Sequence, residues 1–117
     1  MPSYEHWKSK IKPMGSNCLN IPFSMTVSDS EAAHASNGLL PRDQDDKWFG
    51  FWGDDEVCFC RSWTGHQIYR IKKRKTEEGF ELGPADVLDD QSVYRRPSDE
   101  IDLKLITNLT NRLIGKN

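Results

Sequence analysis

The chain has 117 residues, of which 36% are hydrophobic and 29% are charged, and its formal net charge is −2. This length predicts a single domain spanning residues 1–117, and the near balance of charges argues against global attraction to nucleic acid or to a membrane. Three cysteines, with no N-terminal apolar stretch typical of a signal peptide or a membrane span, predict a cytoplasmic protein with reduced thiols.

Three short elements are predicted before residue 40. A helix from Ser3 to Ile11 carries apolar residues on one face, and the segment 21–27, IPFSMTV, alternates in the manner of a half-buried strand. Ser28 and Glu31 have the spacing of a capping box, which predicts a second short helix that ends at Asn37-Gly38.

Four strands are predicted next, separated by turn-forming residues. They run from Trp48 to Trp52, from Glu56 to Trp63, from Gln67 to Lys75, and from Phe80 to Leu82, where Gly83-Pro84 is expected to stop the last one. Their connections are too short for crossover helices. The strands therefore predict an antiparallel meander.

A longer amphipathic helix is predicted near the C-terminus, after a polar connector at residues 86–96 that has no assigned structure. Ser98 is its expected cap and Gly115 its stop. Apolar residues recur at helical spacing as Ile101, Leu105, Ile106, Leu109 and Leu113. The predicted fold class is α+β: an antiparallel β-meander of four to five strands packed by the C-terminal helix, with short N-terminal helices.

The second strand of the meander has one bulky face and one small face. Alternation places Val57, Phe59, Arg61 and Trp63 on the first, and Cys58, Cys60, Ser62 and Thr64 on the second. Because small side chains let a helix approach closely, we expect the C-terminal helix over the cysteine face. The bulky face is then left for the N-terminal segments or for a ligand.

The candidate binding site lies between residues 48 and 69, which contain seven of the twelve aromatic residues of the chain. A guanidinium among aromatic rings is typical of a site for an anionic ligand or a protein partner. The candidate contact residues are Arg61, Trp63, Thr64, His66, Tyr69, Trp48 and Trp52. Alternatively, Arg61 pairs internally with Asp54, Asp55 or Glu56, and most of the rings belong to the core.

Catalytic, metal and cofactor sites are not predicted. Cys58 and Cys60 supply only two thiols, whereas a closed zinc site needs four ligands, so both are expected to be buried and inert. His66 is the best available acid or base, but no motif places a second titratable residue beside it. The run from Arg70 to Lys75 carries five positive charges, a composition typical of a nucleic-acid-binding surface. Lysines on an outer strand also prevent edge-to-edge association of sheets, so nucleic acid is not the favoured partner.

The residues WFGFWGDDEVCFCRSWTGHQIYRIK, with the preceding IPFSMTVSDSEAA, resemble a small bacterial domain of W-F…R-S-W-T-G pattern. The resemblance covers roughly residues 18–72. That domain also occurs joined to ADP-ribosylglycohydrolase-like enzymes, which implies a bacterial origin and a link to ADP-ribose or NAD chemistry. The resemblance implies no set of catalytic residues. Cys58 and Cys60 occupy positions where the pattern of that domain has larger residues.

Two hypotheses for function follow. In the first, the protein is a non-enzymatic binding or accessory module, of the immunity type or another protein-partner type, which uses the aromatic face around Arg61 and Trp63. In the second, it binds or processes ADP-ribose, NAD or a nucleotide, with Arg61 holding phosphate, Trp63 stacking on the ligand and His66 as the acid or base. The first is favoured because no catalytic pair is in place.

Overall fold

A computed structural model describes residues 9, 11–12, 18–40, 47–62, 64–89 and 98–115. The helix predicted from Ser3 to Ile11 falls almost entirely outside these residues, as do Trp63 and most of the predicted connector at 86–96. The described residues form a six-stranded antiparallel sheet and two helices, which confirms the α+β class.

The elements follow one another along the chain as β1 (Cys18–Ile21), β2 (Met25–Ser28), α1 (Asp29–Ala35), β3 (Trp48–Trp52), β4 (Glu56–Arg61), β5 (Gln67–Thr76), β6 (Gly79–Leu88) and α2 (Asp99–Leu113). Strands β3 to β6 form the predicted meander, and the order across the sheet is β1-β6-β5-β4-β3, with β2 also paired to β6. Neither helix is both long and apolar enough to span a membrane.

The edge beside β6 is formed by β1 and β2 in succession. Ile21 pairs with Ala85 and Met25 pairs with Leu82, so the single strand predicted over 21–27 is two strands with an interruption. β6 does not stop at Gly83-Pro84 as predicted, but continues to Leu88. It does so because these two residues form a bulge opposite one residue of β5, where a proline without an N–H is tolerated.

Helix α1 begins with the predicted capping box. The amide of Glu31 donates to the Ser28 hydroxyl at 3.2 Å, and the amide of Ser28 donates to the Glu31 carboxylate at 2.9 Å. The chain then reaches the opposite edge of the sheet, where Leu39 exchanges two backbone hydrogen bonds with Gly50 of β3, at 2.9 and 2.8 Å. The segment therefore crosses the sheet from β2 to β3.

Helix α2 begins at the predicted cap, where the Ser98 hydroxyl accepts from the amide of Ile101 at 3.2 Å. Its buried stripe is rotated from the predicted one, because Ile101 is 50% exposed and Leu105 only half-buried. Two polar residues, Asp102 and Thr110, are fully buried in their place. The stripe is completed by Ile106, Leu109 and Leu113.

The expected position of α2 over the cysteine face is wrong. Val57 and Phe59 of the bulky face share one core with the aliphatic residues of α2, whereas Cys58 and Cys60 belong to a second cluster. That cluster contains Phe49 and Phe51, and Ile11 and Leu40 pack against it. The bulky face offers more apolar area for a helix to cover, and it also supplies a phenol for the buried carboxylate of α2.

Candidate functional site

Arg61 lies at the end of β4 and is stacked on a ring of the neighbouring strand. It is the cross-strand partner of Trp48, and its guanidinium carbon is 4.6 Å from the centroid of the Trp48 ring. Cation–π contact of this kind stabilises a half-buried arginine on a bulky face. Glu56 lies at the opposite end of β4, roughly 17 Å away at ~3.4 Å per residue, a separation that disfavours the alternative pairing of Arg61 with Asp54, Asp55 or Glu56.

A row of contacts continues from Trp48 into the core. The Trp48 ring stacks on Tyr69 with centroids 5.6 Å apart and planes inclined by 19°. The Tyr69 hydroxyl donates to the carboxylate of Asp102 in the first turns of α2, at 2.8 Å. Trp48 is only 7% exposed, and Tyr69 and Asp102 are fully buried. These two rings therefore support Arg61 from within the protein, and neither offers an open face for stacking.

Tyr69→Phe is expected to lower the free energy of unfolding by about 1–3 kcal/mol, because the buried Asp102 carboxylate loses a hydrogen-bond donor while the ring is retained. Urea denaturation of Tyr69→Phe, Asp102→Ala and the double variant measures the coupling between the two side chains. Losses that simply add would show that the hydroxyl and the carboxylate do not interact.

The turn after Arg61 is closed by short backbone hydrogen bonds. The amide of Gly65 donates to the carbonyl of Arg61 at 2.8 Å, and the amide of Arg61 donates to the carbonyl of His66 at 3.0 Å. Gly65 has a φ of 80°, which a glycine adopts without strain. The Thr64 hydroxyl accepts from the amide of His66 at 3.3 Å. The turn thus holds Arg61 and the half-exposed His66 beside one another, with Thr64 exposed at its tip.

Two lysines from distant parts of the chain join this turn. The amide of Lys12 donates to the carbonyl of Gly65 at 2.7 Å, and the carbonyl of Lys47 accepts from the amide of Ser62 at 2.9 Å. Both lysine side chains are exposed. We call Lys12, Lys47, Arg61 and His66 the basic end of the sheet. Sequence reasoning missed Lys12 and Lys47, because neither belongs to a recognised motif and only the folded sheet brings them to the turn.

Trp52 lies at the opposite end of β3 from Trp48. Its ring meets Phe80 edge-on at 5.2 Å, and the Lys73 ammonium lies 4.7 Å from its centroid. Burial lowers the pKa of Lys73 below the ordinary value, and outweighs the opposing effect of Asp54 and Asp55. Trp52 therefore belongs to a separate lysine–aromatic cluster.

The basic run from Arg70 to Lys75 is largely neutralised within the protein. Arg70 contacts Asp86 at 2.9 Å, and two further cations of the run are paired, Arg74 with Glu81 at 2.9 Å and Lys75 with Asp29 at 3.0 Å. The run lies on β5, which is an interior strand and not an outer one as expected. These pairings reduce the charge that the run presents to a nucleic acid.

Asp86 is the centre of a polar row across three strands. It accepts hydrogen bonds from Asn20 of β1 at 3.0 Å and from Arg70 of β5 at 2.9 and 3.1 Å. Burial alone would raise the pKa of Asp86, but these hydrogen bonds and the charge of Arg70 outweigh it and hold the pKa below the usual range. The Asp86–Arg70 pair stabilises the fold fully when the pH is above the ordinary pKa of the carboxyl. This stabilisation is lost as the pH falls through the lowered pKa of Asp86.

Cys58 and Cys60 are buried on the second face of β4, and Cys18 is half-buried on β1. A hydrogen bond with the Cys58 thiol, followed by burial, raises the pKa of Cys60 far above the ordinary value. The Cys60 thiol is therefore protonated at neutral pH. Among the described residues, no three His, Cys, Asp or Glu side chains are grouped so that they could hold a metal ion.

Within the part of the chain that the structure describes, the basic end brings predicted site residues of the turn next to the backbone of Lys12 and Lys47. The chain matches no protein-family model, no curated protein and no solved structure.

Proposed function

We propose that the protein is a non-enzymatic binding module whose basic end docks on an acidic surface of a partner protein. The observation that carries this proposal is the convergence of Lys12, Lys47, Arg61 and His66, from three segments of the chain, through backbone hydrogen bonds. These hydrogen bonds fix the backbone of the three segments. Their ordering entropy is therefore already lost before a partner arrives.

Arg61 has the properties of an anchor in a protein interface. Its guanidinium is half-buried and held over the Trp48 ring, so few rotamers remain to be frozen on binding. Arginine on a rigid aromatic support is enriched among residues that dominate binding energy. Within the described residues, Lys12 and Lys47 form no ion pair, and both are exposed on segments that hydrogen-bond to the turn beside the anchor.

A protein partner suits this geometry better than a nucleotide. Stacking of a base or nicotinamide needs an open ring face, and Trp48 and Tyr69 have their rings in the core. Trp63, the other ring of the turn, lies outside the described residues. The link to ADP-ribose or NAD implied by the family resemblance is the competing proposal, and the experiment below separates the two.

Zero-length carbodiimide cross-linking joins lysine amines to carboxylates and identifies both chains by mass spectrometry. In a native extract, cross-links are expected from Lys12 and Lys47 to aspartates or glutamates of one partner. Arg61→Ala should then weaken the purified complex by about tenfold to a hundredfold, or ~1.4–3 kcal/mol, with affinity falling as salt rises.

Arg74→Ala is the matched control, because Arg74 is an exposed arginine at the far end of β5, paired to Glu81. It should leave the affinity unchanged. Equal weakening by both variants, or cross-links confined to Lys72 and Lys104, would contradict the proposal. A melting temperature that rises with millimolar ADP-ribose or NAD, and no longer does so in Arg61→Ala, would support the nucleotide reading instead.

A further inference from the structure

The second face of the sheet contains a pair of thiols that the proposed function does not use. Cys58 and Cys60 are two residues apart on β4, so their side chains project from the same face. Cys60 is fully buried and Cys58 is 9% exposed, and a hydrogen bond joins their thiols. The two sulfur atoms therefore converge within one buried pocket of side chains.

The spacing of the pair disfavours a disulfide. Residues two apart on an extended strand have Cα atoms about 6.7 Å apart, at the upper limit of the range that a disulfide bridges. Two thiolates on opposite sides of a single metal ion need about 4.6 Å between their sulfur atoms, at ~2.3 Å per bond. Side chains that lean together from neighbouring same-face positions reach this separation without moving the backbone.

The surroundings of the pair favour a soft cation of low charge. Cys58 and Cys60 pack with Phe49 and Phe51, and Ile11 and Leu40 cover the cluster. This apolar packing shields the two thiols from water, which disfavours strongly hydrated divalent ions.

The ion pair of Arg70 and Asp86 lies on the same face of the sheet as the two thiols. Cys58 is the cross-strand partner of Arg70, on the same face of the sheet. The guanidinium of Arg70 also lies 3.7 Å from the Cys18 sulfur. An anionic bis-thiolate complex at Cys58 and Cys60 would therefore form beside a guanidinium that already shares its charge with Asp86, at 2.9 Å, so only part of that charge offsets the cost of burying the complex.

We propose that Cys58 and Cys60 bind one soft monovalent d10 cation, Cu(I) or its analogue Ag(I), as a two-coordinate bis-thiolate. Each thiol loses its proton as its sulfur bonds to the metal. One cation therefore displaces two protons, and the complex carries a net charge of −1. Zinc is selected against because it takes four ligands, and the described residues provide no third His, Cys, Asp or Glu at this position.

The first test uses the wild-type protein, in chloride-free solution at neutral pH, titrated with Ag(I) in a pH-stat. The expected result is a sharp end point at one Ag(I) per chain with about two protons released, one from each thiol that bonds to the metal. The melting temperature should rise with bound cation. Release of about one proton per cation would indicate a single-thiol contact and overturn the proposal.

The second test assigns the ligands, with Cys18→Ser as the matched control. Cys18 lies on β1, outside the pair, so Cys18→Ser should compete for Cu(I) against a chromophoric chelator as well as the wild type does. Cys58→Ser and Cys60→Ser, each added to Cys18→Ser, should lose the cation at the same chelator concentration. Retention by either double variant, loss by Cys18→Ser alone, or equal displacement of Cu(I) by zinc would overturn the assignment.

Discussion

Gly83→Ala is expected to lower the free energy of unfolding by at least about 3 kcal/mol. Gly83 has a φ of 125°, which residues with a side chain rarely adopt. A Cβ atom there would lie 1.8 Å from the backbone oxygen of Phe23. A backbone atom cannot rotate away as a side chain does. The substitution must therefore push the edge chain off β6 or unwind the bulge.

Gly115→Ala is the matched control for this prediction. Gly115 also has a positive φ, of 86°, but a Cβ there would meet only the imidazole of His34, at 2.9 Å. The His34 side chain is exposed and can turn aside, so the expected loss is about 1 kcal/mol. Urea denaturation followed by tryptophan fluorescence measures both variants. Equal losses would show that the close approach of Phe23 to Gly83 does not strain the variant.

Phe59→Ala is expected to lower the free energy of unfolding by about 3–5 kcal/mol. Phe59 is fully buried in the core that α2 covers, and its ring lies across Gly50, where an added Cβ would be 2.5 Å from the ring. Truncation removes this cover and leaves a cavity between the sheet and α2. Thermal unfolding should show a correspondingly lower melting temperature.

The matched control for Phe59 is Phe80→Ala, because Phe80 is a phenylalanine on the same sheet that is only half-buried. It contacts Trp52 and the lysines Lys73 and Lys75. The loss should be smaller than at Phe59, since part of the ring is already in water. A loss at Phe80 equal to that at Phe59 would contradict the assignment of the bulky face to the main core.

Elements fixed by local chemistry are predictable from this sequence. The Ser28 capping box, the Ser98 cap and the turns of the meander each depend on residues within a few positions of one another, and all are present in the structure. The face of the sheet that α2 covers could not be predicted in this way. It depends on a contact between Tyr69 and Asp102, 33 positions apart, which no local pattern encodes.

A register shift between β4 and β5 is a second reason why alternation does not predict which residues are buried. Phe59 pairs with Tyr69 while Cys60 pairs with Gln67, so Ile68 is an additional residue in β5. Ile68 and Tyr69 are consecutive and both belong to the main core. A strict period of two would place one of them on the opposite face.

The candidate site was predictable only in part, for the same reason. The turn from Arg61 to His66 stands out through its composition, and alternation correctly places Arg61 on the bulky face. The contribution of Lys12 and Lys47 depends on backbone pairing across 53 and 15 residues, to Gly65 and Ser62 respectively. The separation of Trp52 from the turn follows from the direction of β3, since Trp48 and Trp52 are at its two ends.

The break between β1 and β2 has a consequence for association between molecules. Each of these strands is four residues long, and Pro22 to Ser24 between them depart from the strand path. A strand from another chain could add to this edge for only a few residues before losing its register. Short, interrupted edges are a means by which sheets resist edge-to-edge growth into aggregates. The close approach of Phe23 to Gly83 thus helps to keep the sheet from extending along this edge.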